Sequence, residues 1–235
     1  VEVYIVIFMA AMTQSLTGFG SALVAMALLP HHIGLRASAS LVSLIALSIE
    51  IVLLLRYRQA VSLREVKPLV AASFVGIPIG IYLLRRIDGS VMLVLLGLVI
   101  AIYGIYALLD WKLPELRQPA WAYAAGLLAG MLGGAYNTSG PPVILYADCR
   151  RWPPSEFKGN LQGFFLTNSV FVVTAHLLSK DLTPDIWRTY LIALPFIALG
   201  ILTGTLLDRA LPPEAFRKIV LLALVVMGIR VVLTA

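Results

Sequence analysis

Gly133-Gly134-Ala135-Tyr136-Asn137-Thr138-Ser139-Gly140-Pro141-Pro142 lies inside an otherwise apolar stretch that runs from about 121 to 146. Gln14-Ser15-Leu16-Thr17-Gly18-Phe19-Gly20 interrupts an earlier apolar stretch, 3–29, at a similar depth. Clustered glycine, proline and small polar residues leave backbone N–H and C=O groups without helical partners. Lipid cannot satisfy those groups, so such breaks are tolerated only where they are buried in protein or face a wet cavity.

The surroundings of the two breaks are those of a membrane protein. The chain has 235 residues, 60% hydrophobic and 13% charged, with a mean hydropathy of +0.93. Soluble domains run at roughly 45–50% apolar and about 25% charged, so a soluble enzyme is not expected. Eight apolar segments follow at about 3–29, 37–55, 69–84, 90–109, 121–146, 159–178, 189–207 and 219–233, and 28 of the 30 charged residues fall outside them. A helix needs about 20 apolar residues to cross a bilayer. The reading is an all-α polytopic membrane protein with one transmembrane domain over 1–235, its partner the lipid bilayer. The first apolar block lacks a charged leader region and reads as structural rather than as a cleaved signal. The chain starts at Val1, so a few preceding residues are expected.

The net charge of +6 and pI near 9.6 would suggest a polyanionic partner in a soluble protein. Here the basic residues occupy short loops between apolar spans, so they orient the chain and no nucleic acid is expected. Cys149 is the single cysteine, which excludes an intramolecular disulfide and a thiolate metal cluster. His31 and His32 are adjacent loop residues and a poor metal site without a third ligand. No cofactor is expected. The chain has no GxxxxGK[ST] loop, so it does not hydrolyse ATP, and no HExxH, GxSxG or CxxC. Asn137-Thr138-Ser139 fits a glycosylation sequon only formally, given its depth.

The chain is internally duplicated. Gly20 and Gly140 lie 120 residues apart, and Ala39-Ser40-Leu41 and Gly159-Asn160-Leu161 keep that offset. Phe74 and Phe196 follow at 122, and Gly76-x-x-x-Gly80 matches Gly200-x-x-x-Gly204 at 124, as Tyr103-Gly104-Ile105 matches Met227-Gly228-Ile229. This gives two four-segment repeats, about 1–110 and 120–235, with segments one and five discontinuous.

Charge placement favours inverted over parallel repeats. If all eight segments cross, the 18 basic residues split evenly between the faces. If segments one and five enter and leave on one side, twelve collect on one face: Arg56, Arg58, Arg64, Lys67, Lys112, Arg117, Arg150, Arg151, Lys158, Arg209, Arg217 and Lys218. That face is then cytoplasmic.

A helix that starts inside the membrane points free N–H groups and a partial positive charge at its own beginning. Ser139-Gly140 suits an N-cap with Pro141 in the first helical turn, and Gly18 or Gly20-Ser21 begins a half-helix Ala22–Leu29. Two such starts near mid-membrane make a site for a small anion, as in repeat-built secondary carriers. Candidate binding residues are Thr17, Gly18, Phe19, Gly20, Ser21, Asn137, Thr138, Ser139, Gly140 and Pro141. Helical spacing adds Ser40, on a polar stripe with Ser43 and Glu50, and its counterpart Asn160, on a stripe with Thr167 and Asn168; both stripes are expected to line one cavity.

Coupling or gating candidates are Gln14, Glu50, Lys158 and Tyr136. Glu50 is suited to carrying a coupling proton, although its spacing from Arg56 favours an interfacial ion pair. Lys158 either draws an anion to the cavity mouth or marks the membrane boundary. Gln162 points away from Asn160 and reads as interhelical glue. The remaining glycines, Gly76, Gly80, Gly126, Gly130, Gly200 and Gly204, read as close-packing positions. No His, Cys or Asp lies in the middle of a span, so an intramembrane enzyme is not expected.

These residues carry a resemblance. Gln14-Ser-Leu-Thr-Gly-Phe-Gly-Ser-Ala-Leu-Val-Ala25 with Pro30, and Gly133-Gly-Ala-Tyr-Asn-Thr-Ser-Gly-Pro-Pro-Val-Ile-Leu-Tyr146, resemble the two repeat signatures of the sulfite exporter TauE/SafE family of membrane anion permeases. The likeness extends through Phe157-Lys158-Gly159-Asn160 and covers essentially the full chain. It implies a bacterial inner-membrane carrier of sulfite, organosulfonates or small carboxylates, with a coupling proton or ion as a further partner. An uncoupled anion channel is the alternative. Asn137 and Ser139 stand where the family commonly has glycine, Ser21 where a larger apolar residue is frequent, and Lys158 where arginine is usual.

Overall fold

Both breaks are real interruptions of helix in the computed structural model, which describes residues 2–109, 113–116, 118–210 and 213–234. The first segment divides into α1 (Glu2–Thr17) and α2 (Ser21–Leu28), followed by a single turn, α3 (Pro30–Ile33). The fifth divides into α7 (Ala120–Tyr136) and α8 (Gly140–Cys149). The other segments are α4 (Leu35–Tyr57), α5 (Leu63–Arg86), α6 (Gly89–Leu109), α9 (Pro154–Leu178), α10 (Pro184–Ala210) and α11 (Pro213–Thr234), with a 3-10 turn at Arg58–Ala60. Among the described residues, five helical stretches are long and apolar enough to span a membrane: Leu35–Ala60, Leu63–Arg86, Gly89–Leu109, Glu156–Leu178 and Pro184–Asp208. The protein is therefore all-helical and polytopic. Most helices run a turn beyond the apolar windows, because polar residues such as Arg64 and Glu65 continue them.

Each broken segment doubles back. Glu2, at the start of α1, lies 3.4 Å from His32 in α3, so the far ends of the first pair are together. Before α7, the Leu116 N–H donates to the carbonyl of Cys149 at the end of α8 (3.1 Å). Arg150, just beyond α8, donates to the carbonyl of Leu116 and to Glu65 on α5. Lys112 and Arg117, expected on this face, lie outside the described residues.

Glycine decides how the long helices pair. A side chain at Gly76 would run into the backbone of Leu127 and Met131, and one at Gly80 into Met131 and Ala135. Gly126, Gly130 and Gly134 would meet Leu69, Ser73 and Ile77 in the same way. Rising numbers meet rising numbers, so α5 and α7 lie backbone to backbone in the same direction. On the other side of the molecule Gly200 approaches Phe8 and Ala11, and Gly204 approaches Met12 and Ser15. Tyr4 stacks on Phe196, and the Ser15 hydroxyl donates to the carbonyl of Ile201. Hence α1 and α10 are also parallel. Helices α6 and α11 are antiparallel, with Gly97 against Gly228 and Val232, and Gly104 against Leu221 and Val225. Small residues at these crossings bring backbones close enough for dispersion and weak hydrogen bonding where no hydrophobic force acts between helices. The six glycines read as packing positions all pack this way.

Helices α4 and α9 form the centre, antiparallel. Gly159 abuts Ala60 just past α4, while Glu50 meets Ser169 further along α9. The two fold-back pairs lie against these central helices, and their tips reach them deep inside the molecule.

Candidate functional site

The first tip turns on two left-handed glycines, Gly18 (φ +85°) and Gly20 (φ +98°). Side-chain-bearing residues enter that region at a cost of about 1–2 kcal/mol. The second tip uses Asn137, at φ +56°, one of the few other residues that visit this region readily. The unusual asparagine therefore keeps the turn a glycine would make and adds an amide. That amide donates to the carbonyl of Val42 on α4 (3.3 Å). In the first tip the relation is reversed: Gln162 of α9 donates to the carbonyl of Gly18 (2.6 Å).

The starts of α2 and α8 converge on one cavity, with about 20 Å³ open to the centre of a water molecule. A volume of that order holds about one water. Gln14, Gly20, Ser21, Ala22 and Leu23 line it from the first tip, Asn137, Thr138, Ser139 and Gly140 from the second, Ala46 and Glu50 from α4, and Phe165 from α9. Neither half-helix has a side-chain cap at its start. Residues 21–23 of α2 all carry N–H groups, and first-turn N–H groups have no partner within a helix. In α8 only Gly140 of the first three positions does, because Pro141 and Pro142 have no N–H.

Polar side chains complete the lining. The Ser21 hydroxyl donates to Gln14 Oε1. Thr138 is 1% exposed and its hydroxyl has no partner among the described residues. An orphaned hydroxyl at this depth costs about 1–3 kcal/mol unless something else binds it, so the position is suited to a ligand atom.

The other candidates lie elsewhere. The Thr17 hydroxyl is taken up inside the first tip by the carbonyls of Thr13 (2.8 Å) and Phe19 (2.6 Å). Gly18 faces Gln162, and Phe19 packs edge-on against Tyr103 of α6. Tyr136 donates to the carbonyl of Met92 (2.9 Å), pinning α7 to α6. Pro141 faces an apolar crevice with Tyr103, Tyr106 and Trp121. Lys158 runs its stem past Gly18 and holds its ammonium 5.6 Å from the Tyr57 ring centre.

Three expectations are corrected. Ser139 occupies the N-cap position of α8, but its backbone is already helical and its side chain makes no capping bond; it lines the cavity instead. Glu50 is buried, at 5% exposure, and does not pair with Arg56, which reaches Asp208 at 3.3 Å. Ser40 and Asn160 do not share the cavity, because antiparallel α4 and α9 put them at opposite ends. Asn160 accepts from the Ser62 N–H (2.6 Å) in the link between α4 and α5. Ser40 donates to its own helix at Arg36 and faces Lys180, Asp181 and Thr183 in the link between α9 and α10.

Sequence reasoning missed Ala46, Phe165 and Ser169. Gln162, Phe165 and Ser169 form an i, i+3, i+7 stripe on α9, one step around from the face that Asn160 and Thr167 suggested. Thr167 is exposed and bonds its own helix. The available signal was burial: the stripe toward the cavity mixes one aromatic with two polar residues, while the stripe chosen was more uniformly polar and partly faces outward.

Residues 3–231 match the family described as Sulfite exporter TauE/SafE. The chain is 28% identical over 180 residues to the probable inner membrane transporter protein TsaS of Comamonas testosteroni, covering 74% of each chain. It is 24% identical over 229 residues to the probable sulfite/organosulfonate exporter TauE of Cupriavidus necator, covering 94% of this chain and 89% of that one. No solved structure matches the chain significantly.

Proposed function

The chain belongs to the sulfite exporter TauE/SafE family and is a multi-pass inner-membrane transporter rather than an enzyme, and from that premise we propose that it is a secondary carrier of small oxyanions. The substrates are sulfite, organosulfonates or small carboxylates, bound between the starts of α2 and α8. The observation that carries this reading is the convergence of those two uncapped starts on one buried cavity, with the orphaned Thr138 hydroxyl inside it. The name of the Cupriavidus necator relative supports a sulfur oxyanion as substrate. Uncharged donors suit an anion that must be released again: helix-end N–H groups and hydroxyls hold it without a fixed cation to trap it.

The mechanism is alternating access of two inverted repeats, one spanning α1–α6 and the other α7–α11. Several contacts support it. The fold-back of α1 with α2 returns the chain to the face it entered by, and α7 with α8 does the same. Parallel α5 and α7, together with parallel α1 and α10, then make the two pairs enter from opposite faces. The pairing also exchanges under the duplication: segment one packs on seven as five packs on three. Ser40 and Asn160 meet equivalent links: Ser40 lines a pocket with Lys180, Asp181 and Thr183, and Asn160 accepts from the Ser62 N–H. The described members of the basic set named above then share the cytoplasmic face. The small size of the cavity favours a carrier that rearranges around its substrate over the alternative, an open anion channel.

Labelled sulfite, methanesulfonate and a small carboxylate should enter proteoliposomes of the purified chain with saturable kinetics, faster than empty vesicles. Thr138→Val removes the orphaned hydroxyl at nearly constant volume. It should weaken binding about tenfold, the loss of one good hydrogen bond, while leaving thermal stability equal or slightly higher. Flux that rises linearly with concentration would favour the channel, and no flux for any of these anions would exclude both.

A further inference from the structure

Glu50 is the acidic residue in a cavity otherwise lined by apolar groups and neutral hydrogen-bonding ones. It projects from α4 about two turns before the helix ends, 5% exposed, with the Ser169 hydroxyl as hydrogen-bond partner and, among the described residues, none for Oε2. The inference rests on the anion-carrier reading above. An anion between the starts of α2 and α8 shares this small space with the carboxyl. Two negative charges at such range in a low-dielectric interior repel strongly, and among the described residues no Lys, Arg or His lines the cavity to offset them.

The neighbours on every packed element leave that repulsion standing. From α1 and α2 the carboxyl is faced by Gln14 and Ser21, and from the second tip by Asn137, Thr138 and Ser139. On α9 its partner is Ser169, while Lys158 lies over Tyr57 and His176 at the far end bonds Asp181. On α10, Asp208 is held by Arg56 of α4, and Tyr190 bonds Ser48. At the ends of α4, Arg36 donates to the carbonyl of Arg85, His32 of α3 is beside Glu2, and Arg58 of the 3-10 turn is exposed.

A protonated carboxyl removes the repulsion and adds an O–H donor. The geometry points to Glu50 as a proton carrier: the anion binds together with one proton, held on Glu50, so that a monoanionic sulfonate and a proton cross as a neutral pair. The balance is simple. Empty carrier, carboxylate, proton and sulfonate combine to carboxylic acid beside bound sulfonate. On the opposite face the sulfonate leaves and the proton follows, with no net charge moved. The direction of net flux then follows the proton gradient as well as the anion gradient.

Methanesulfonate is the probe, because its sulfonate stays ionised throughout and any proton taken up belongs to the protein. Binding to the purified full chain is measured calorimetrically in two buffers of different ionisation enthalpy, which counts protons per anion. The series runs from about pH 3 to about pH 10, which spans the ordinary carboxyl range and the shifts of several units met at buried sites. The expected result is a limb on which about one proton is taken up and affinity falls about tenfold per pH unit. Glu50→Gln should bind with a flat profile and no uptake. Ser169→Ala, which leaves the carboxyl in place, should keep the uptake and move the midpoint of the profile. Binding without uptake at every pH, uptake that persists in Glu50→Gln, or an unmoved midpoint in Ser169→Ala overturns the assignment. If monodisperse wild-type protein binds methanesulfonate, sulfite and small carboxylates at no pH, the carrier reading fails with it.

Discussion

The side-chain amide of Gln162 on α9 donates to the carbonyl oxygen of Gly18, 2.6 Å away, so the fold brings a distant helix to the first interruption. Gln162 is fully buried. It supplies the partner that the broken helix cannot, which is how a non-helical carbonyl is accommodated at this depth. Gln162→Leu should lower stability by about 1–3 kcal/mol, the cost of leaving a buried acceptor unpaired. Unfolding of the detergent-purified variant, followed by intrinsic fluorescence, checks this. A variant as stable as wild type would mean that water replaces the amide.

The two tips should respond oppositely to glycine and alanine. Gly20→Ala places a side chain at φ +98° with only an ordinary contact, 3.5 Å from Thr13 Cγ2, so its cost is conformational, about 1–2 kcal/mol. Asn137→Gly keeps the left-handed turn and removes only the amide bond to Val42, worth about 0.5–1.5 kcal/mol. The second variant should remain folded and monodisperse while its affinity for sulfonate falls. Equal stability losses in the two variants would contradict the conformational argument.

Gly134→Ala pushes a methyl group into the backbone carbonyl of Ile77 where α7 lies on α5, whereas Gly89→Ala meets nothing within 4 Å. Overpacking of this kind costs about 1–3 kcal/mol or more. A clear drop in melting temperature is expected for the first and none for the second. Paired thermal scans in one detergent read the difference directly.

The proposed inverted arrangement fixes which loops share a face. Gln59→Cys, beyond α4, and Gly89→Cys, at the start of α6, are exposed positions that this topology places on opposite sides of the membrane. A membrane-impermeant maleimide applied to intact cells should label Gly89→Cys and spare Gln59→Cys. The native Cys149 is buried and should contribute little background. Labelling of both, or of Gln59→Cys alone, would reverse or remove the proposed orientation.

Much of this architecture was legible because membranes constrain sequence so strongly. The breaks at Gly18–Gly20 and Asn137–Ser139 stood out against apolar flanks, and the packing glycines announced themselves by spacing. The partners of each side chain were not legible. Glu50 lies six residues before Arg56, which suggested a pair, yet α10 brings Asp208 to Arg56 and α9 brings Ser169 to Glu50. Matched polar positions such as Ser40 and Asn160 suggested a shared cavity. Duplication preserves local surroundings, however, and in antiparallel helices equivalent residues end far apart. Helical periodicity ranks faces by polarity and not by what lies opposite them, so it marks Gln162 only as interhelical glue and leaves Phe165 and Ser169 unmarked.

The glycine seams bear on how the protein is made. Close backbone contacts join α1 to α10 and α5 to α7, so each early helix meets its partner only after a later stretch of chain has been synthesised. While the ribosome is still working on the second half, the surfaces around Phe8, Met12, Gly76 and Gly80 face lipid or the insertion machinery. The first half is thus expected to await its counterpart before packing is complete. Separately expressed halves should be short-lived alone and persist when produced together.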